Sequence, residues 1–235
     1  MNFRILVLTA LTLLVCKTAS AQDVEFGVKA GTNMSTLKTD LDGEKYLLGY
    51  HFGGLADIKF NEKFSIQPEL LYSLEEAKID DSFSFEDEGT TFGIDYKEDI
   101  KLAYLQLPVM LKYQVAKNLS LEAGPQIGYL LSAKSDYNVK LQFDDEIMTD
   151  SGSEKIKDQI KSLDFGLNFG LGYQFNNKMF IHGRYHVGLS DINDSEPGID
   201  EDSIDRGSIK NSSFQVSVGF KFQEFKFGLN QKGVS

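Results

Sequence analysis

Read at every second residue from Leu163 to Phe175, the chain spells Leu163, Phe165, Leu167, Phe169, Leu171, Tyr173 and Phe175, while the residues between are Asp164, Gly166, Asn168, Gly170, Gly172 and Gln174. A period of two belongs to a strand, whose successive side chains point to opposite faces; a helix stripe would repeat at three and four. The two faces therefore meet different media. A soluble barrel would turn the apolar face inward and a solvated face outward, but glycines make a poor water-facing surface and a good lining for a crowded bore. The apolar face is accordingly assigned to lipid.

The same alternation runs through residues 24–30, 48–58, 64–72, 105–113, 119–131, 181–189 and 214–222. Eight such segments, an even number, predict an all-β fold: an eight-stranded antiparallel up-and-down transmembrane β-barrel. Three connections are very short, at Asn61-Glu62-Lys63, Ala116-Lys117-Asn118 and Asn176-Asn177-Lys178, and they alternate with long polar stretches at about 37–45, 78–100, 134–161 and 192–210. Short periplasmic turns and long extracellular loops are the expected arrangement, with both termini in the periplasm. The acidic clusters Glu86-Asp87-Glu88, Asp144-Asp145-Glu146 and Asp200-Glu201-Asp202 fall in the long loops, away from the hydrocarbon. With no Trp in the chain, Tyr and Phe must form the interfacial girdles: Phe60, Phe64, Tyr113, Phe175 and Phe222 near the short turns, and Tyr50, Tyr72, Tyr129 and Tyr185 toward the other rim.

The N-terminus carries Arg4, an apolar run over 5–15, and Ala19-Ser20-Ala21 before Gln22. That is the charge, apolar core and small-residue cleavage pattern of a secretory signal, and it divides the chain into a signal peptide (1–21), a barrel (22–222) and a segment 223–235. The last segment is either a periplasmic tail or an extension of the final strand, because the parity slips at Gln223-Glu224 before Phe225, Phe227 and Leu229. The apolar run is too short for a spanning helix, which needs roughly 20 residues. Cys16, the only cysteine, lies inside the signal, so the mature chain offers no disulfide, thiolate metal site or cysteine nucleophile. Removing Arg4 and Lys17 from the 24 basic residues leaves 22 against 35 acidic ones, a formal charge of −13 that argues against nucleic acid as a partner.

Pro68, Pro108 and Pro125 fall inside expected strands, where each removes a ladder donor, and bulges are expected there. Counted from the short turns, Asp57, Glu69, Lys112, Glu122 and Arg184 lie five to seven residues up their strands, roughly 16–23 Å at ~3.3 Å per residue. They are expected to meet inside the barrel, with Arg184 paired to Glu69 or Glu122, as a polar network that fills a bore only wide enough for its own side chains. His182, Arg184 and His186 point inward from one strand, and Ser190 continues that face. A His and Ser of a lipid hydrolase would face lipid, so these are read as lumen histidines. His182 and His186 stand some 13 Å apart at strand rise and cannot share one ion unaided. Asp40-Leu41-Asp42-Gly43 and the stretch from Asp191 to Gly198 contain fragments of calcium loops without the full ligand set. No Walker loop, dinucleotide fingerprint or zinc spacing is present, and no cofactor or metal is expected.

Several stretches resemble a family of small outer-membrane barrels of Bacteroidota, the PorT-like proteins: Gly27-Val28-Lys29-Ala30-Gly31-Thr32-Asn33 with Ser35, Gln67-Pro68-Glu69-Leu70-Leu71-Tyr72, Tyr104-Leu105-Gln106-Leu107-Pro108 through Lys112-Tyr113, Glu122-Ala123-Gly124-Pro125-Gln126, and Gly170-Leu171-Gly172-Tyr173. The resemblance covers nearly all of the mature chain and implies an eight-stranded Gram-negative outer-membrane barrel with prolines in these strands and no catalytic motif. The chain departs from the common ending on a terminal aromatic residue, since it continues to Ser235. The expected function is a non-enzymatic barrel, in contact with outer-membrane lipid and lipopolysaccharide, that presents acidic extracellular loops for envelope structure, adhesion or partner binding. The alternative, which follows the family's founder, is an accessory of protein secretion or envelope assembly; an extracellular and a periplasmic protein partner both stay open. A small pore or a lipid-modifying enzyme ranks lower, and replacing Arg184 with Ala is expected to raise any conductance.

Overall fold

The computed structural model describes residues 23–38, 44–87, 90–144, 146–175, 178–194 and 208–226. Residues 1–22, with the expected signal peptide, Asp40-Leu41-Asp42-Gly43, Asp200-Glu201-Asp202 and residues 227–235 lie outside the described residues, as do Asn176 and Asn177 of the third short turn and the second half of the stretch from Asp191 to Gly198. The strands are β1 (Asp23–Lys38), β2 (Glu44–Lys59), β3 (Phe64–Asp87), β4 (Thr90–Ala116), β5 (Leu119–Phe143), β6 (Glu146–Lys155), β7 (Leu163–Gln174), β8 (Met179–Gly188) and β9 (Lys210–Lys226). All pairings are antiparallel. β1 pairs with both β2 and β9, and β4 with both β3 and β5, so eight strands close a ring. The ninth, β6, pairs among the described residues with β5 alone.

The apolar parity faces outward. Phe165, Phe169 and Leu171 are about half exposed, whereas Asp164, Asn168, Glu122 and Arg184 on the opposite parity are buried. Twelve residue steps from Leu163 to Phe175 span roughly 40 Å along the strand, or roughly 30 Å of height at the 35–45° tilt of such barrels, enough for their apolar band of ~25 Å. Outward charge begins just beyond that band, where Lys78 meets Asp99 at 3.4 Å and Lys101 meets Asp136 at 2.9 Å. Aromatic pairs mark both margins: Phe64 with Tyr113 (centroids 5.0 Å) near the short turns, and Phe52 with Tyr72 (5.4 Å) toward the far rim. The first short turn is held by Asn61, whose Oδ1 accepts from the N–H of Lys63 (2.8 Å) and Phe64 (2.9 Å).

Three expectations are corrected. The stretches 78–100 and 134–161 are not loops: β3 and β4 continue as a hairpin to Asp87 and Thr90, and β5 continues to Phe143 before returning as β6. Above the hydrocarbon, water accepts charge on either face, so the strict apolar alternation ends while strand formers such as Phe83, Ile94, Tyr96, Val139 and Leu141 keep the ladder going. The prolines carry no bulges: Pro68 to Val109 and Leu71 to Gln106 belong to one unshifted register, as do Pro108 to Gln126 and Leu111 to Ala123. The two pairs between are missing from each ladder, and their flanks hold the alignment. The register shifts fall elsewhere, each offsetting the pairing by one residue, and two of them lie inside long ladders. Phe26 pairs with Gln223 but Gly27 with Lys221, so Phe222 is the extra residue in a β9 that runs on to Lys226. Ala103 pairs with Ser132 but Tyr104 with Leu130, so Leu131 is extra and β5 points Ala133 and Ser135 inward above it.

Candidate functional site

The bore is filled in layers. At the short-turn end, Lys221 Nζ reaches Asp57 Oδ2 at 2.5 Å and Glu25 Oε2 at 2.8 Å. Lys112 Nζ lies 3.4 Å from Asp57 Oδ2 and donates to Gln67 Oε1 at 2.8 Å. A vestibule of about 450 Å³ opens at this end, with Lys59, Lys63, Lys112, Lys117 and Lys221 in its wall.

The next layer is built on Arg184 of β8. Its Nε donates to Glu122 Oε2 at 2.9 Å, and Nη1 and Nη2 grip Glu69 through two parallel bonds of 3.0 and 2.8 Å. Lys29 Nζ adds a contact to Glu69 Oε2 at 2.6 Å. Arg184 Nη2 also donates to His182 Nδ1 at 3.1 Å, while His182 Nε2 lies 3.4 Å from Glu122 Oε1; a neutral ring protonated on Nε2 answers both contacts. The facing strand is glycine for a reason. A Cβ on Gly170 would stand 2.4 Å from the Gly183 carbonyl and 2.7 Å from Arg184 Cγ, and one on Gly172 would stand 2.5 Å from Glu122 Oε1.

Above this layer the polar contacts become uncharged or singly charged. His51 bridges Asn33 Oδ1 and Ser217 Oγ, and Asn33 Nδ2 donates to Ser73 Oγ at 2.8 Å. Gln106 donates to Glu75 at 2.7 Å, Asn168 to Gln126 at 2.9 Å, and Asn211 to Asp164 at 2.8 Å. The top of the bore is apolar: Leu37, Ala77, Ile100, Leu102, Tyr104, Leu130, Ala133, Ile156 and Ile192 form one buried cluster. Just outside it, the Asp191 carboxylate accepts from the N–H of Asn193 (3.0 Å) and Ile209 (2.9 Å). Burial works to raise the pKa of Asp191, but these two donors hold it below the ordinary carboxylate range.

Of the residues singled out from sequence, Asp57, Glu69, Lys112, Glu122, His182 and Arg184 lie in one connected network. Arg184 meets Glu69 and Glu122 together. His186 stands apart, with Nδ1 against Asn168 Oδ1 at 3.1 Å. Ser190 donates to Asp164 Oδ1 at 2.7 Å and not to a histidine. Sequence reasoning omitted Lys29, Lys221, His51, Asp164 and Glu75, although each sits on the inward parity of its strand. It had no signal for the apolar layer, where inward positions turn from polar to aliphatic. Among the described residues, no group of three or more His, Cys, Asp or Glu is arranged to hold a metal.

A closed antiparallel ring of eight strands, apolar outside and ionic within, defines an outer-membrane β-barrel. The chain belongs to the family described as outer membrane protein beta-barrel domain, which it matches over residues 20–194. Among solved structures it is similar to Ail, the attachment invasion locus protein of Yersinia pestis, in complex with the heparin analogue sucrose octasulfate; the identity is 15%, covering 85% of this chain and 99% of that one, with a TM-score of 0.41. It is also similar to OprG from Pseudomonas aeruginosa (15% identity, 87% of this chain, 96% of that one, TM-score 0.35) and to the outer membrane protease OmpT from Escherichia coli (11%, 87%, 98%, 0.35). No curated protein matches the sequence.

Proposed function

We propose that this outer-membrane barrel is a non-enzymatic scaffold, akin to the PorT-like group, with both termini in the periplasm and a cleaved signal peptide. Its sealed bore holds an acidic, sheet-built surface outside the cell for a partner. The observation that carries the reading is the filled bore: Arg184 locks Glu69 to Glu122, and the aliphatic cluster around Leu102 and Leu130 covers the network from above. A bore closed twice, by ions and then by an apolar cluster, does not serve conduction. Among the described residues, what projects beyond it is the β3–β6 sheet.

The test is to shorten that sheet without opening the barrel. Asp81 pairs with Tyr96 and Tyr137 with Gly152, so replacing residues 82–95 and 138–151 with Asn-Gly turns leaves both hairpins closed on native pairs. The trimmed protein is expected to keep its heat-modifiable folding and to lose whatever cell-surface binding or phenotype the full chain confers. A phenotype that survives trimming would overturn the reading.

A further inference from the structure

Above the ring, β3, β4, β5 and β6 continue as a four-stranded sheet, and side-chain parity carries the inward face of the barrel up onto one side of it. Cross-strand partners place Phe83, Ile94, Leu141 and Met148 in one row, and Phe85, Phe92, Phe143 and Glu146 in the next. Phe83 is 62% exposed, Phe143 59% and Met148 66%, so this apolar face is open.

The sheet ends at β6. Its ladder to β5 runs without a register shift from Glu146 opposite Phe143 to Lys155 opposite Lys134, and among the described residues β6 pairs with no other strand. The edge is long and free of proline and bulges, so what guards it against indiscriminate strand addition is charge: three acids and, at its end, one lysine. The residues of β6 on the apolar face are Glu146, Met148, Asp150, Gly152 and Glu154, an acid at every fourth position with Met148 between the first two.

That pattern selects the occupant. Of the two-fold registers that keep the apolar faces of two copies on one side, the one centred on Asp150 sets Asp150 against itself and Glu146 against Glu154, like charges that destabilise an antiparallel pair, and the one centred on Ser151 sets Met148 against Glu154 and Asp150 against Gly152, so neither gives the acids a cation. A basic strand supplies one to each. We propose that the free edge of β6 docks an extended basic polypeptide segment as a further strand, with Lys or Arg opposite Glu146, Asp150 and Glu154 and an apolar side chain beside Met148 on the Leu141 and Phe143 face. Main-chain bonds to the edge supply affinity, and the acid and apolar positions supply selectivity. The inference rests on the extracellular placement proposed above and names the chemistry of the partner.

The experiment uses the mature chain in lipid nanodiscs and a short fluorescent peptide in which Lys and Val alternate on one face and Thr fills the other. Saturable binding by anisotropy is expected, about tenfold weaker in Glu146→Lys/Asp150→Lys/Glu154→Lys and lost when every backbone nitrogen of the peptide is methylated. Binding that persists with the methylated peptide, or equals wild type in the triple variant, overturns the inference; the methylated peptide tests it on wild-type protein whatever the variant's folding. In parallel, Ser151→Cys is labelled with an impermeant maleimide on intact cells, the only natural cysteine being Cys16. Labelling without peptide binding overturns the strand-addition inference and leaves the placement standing. Failure of the label to reach that position overturns the placement, and the inference with it.

Discussion

Replacing Arg184 with Met removes the one cation that holds two buried carboxylates together, and the structure shows which of the two is stranded. Glu69 keeps Lys29 at 2.6 Å and accepts from Gln67 at 2.5 Å. Glu122 keeps only Lys112 at 3.6 Å, His182 at 3.4 Å and the Ser120 hydroxyl at 3.3 Å. Breaking a buried pair by removing one partner costs about 3–5 kcal/mol, more than two orders of magnitude in the ratio of folded to unfolded protein. The cost is the uncompensated charge on Glu122, not lost packing, since Met fills much of the same volume. Arg184→Met/Glu122→Gln should therefore be more stable than Arg184→Met alone, with a coupling of about 1–3 kcal/mol. The assay is urea unfolding in lipid vesicles followed by the gel shift between folded and heat-denatured forms. If the single variant loses less than about 1 kcal/mol, or the double variant loses the sum of the two single changes, the network is not the connected charge system the distances imply.

A Cβ on Gly170 meets backbone as well as Arg184, so Gly170→Ala should cost about 1–3 kcal/mol by overpacking in the same assay; no loss would mean that the strands are further apart than described. Phe169→Lys places a cation on the outward face and should cost about 2–4 kcal/mol in vesicles, while an unchanged midpoint would refute the lipid-facing assignment. Asp191 has a depressed pKa in the folded state, so the stability it contributes is present above its unfolded value and is lost as pH falls through its lower folded value. Hydrogen exchange at the Ile209 N–H should therefore accelerate only below the ordinary carboxylate range, and Asp191→Asn should abolish that acid-dependent step. Arg184→Ala alone should leave planar-bilayer conductance at baseline, contrary to the expectation from sequence, because the layer at Leu102 and Leu130 stays shut; Leu102→Ser and Leu130→Ser added to it should be needed to open the bore.

The parts of this fold that were legible in the sequence are those where one side chain faces hydrocarbon. There a polar residue is costly, so the alternation from Leu163 to Phe175 is strict and both the strand and its orientation can be read directly. The inward parity then follows by subtraction, which is why the sequence alone brings Glu69, Glu122 and Arg184 to one height. Outside the hydrocarbon that constraint lapses: residues 78–100 and 134–161 look like polar loops because Ser, Asp and Lys are permitted on a strand that water bathes. The two extra residues differ in legibility: the one at Phe222 shows in the sequence as the slip of parity at Gln223-Glu224, whereas the one at Leu131 falls where the strict apolar alternation ends, so only the partner's register exposes it.

The same parity rule has opposite consequences within and beyond the ring. Inside, each inward side chain meets the opposite wall, so Arg184 finds Glu69 and Glu122, and Leu102 finds Leu130. On the projecting sheet the inward parity still selects Phe83, Phe85, Leu141, Phe143 and Met148, yet these are exposed, with Ile94 half-buried between them. Scattered exposed apolar residues need no explanation, but rows of them on neighbouring strands form a contiguous patch of the kind that marks interaction surfaces. A patch that served only to hold the sheet together would be as well served by Thr, which pairs across strands without the hydration penalty. The strand proposed at the β6 edge would extend this sheet in its plane and meet the patch beside Met148, so the aromatic rows on β3 and β4 give the rest of the same partner an apolar surface continuous with that edge.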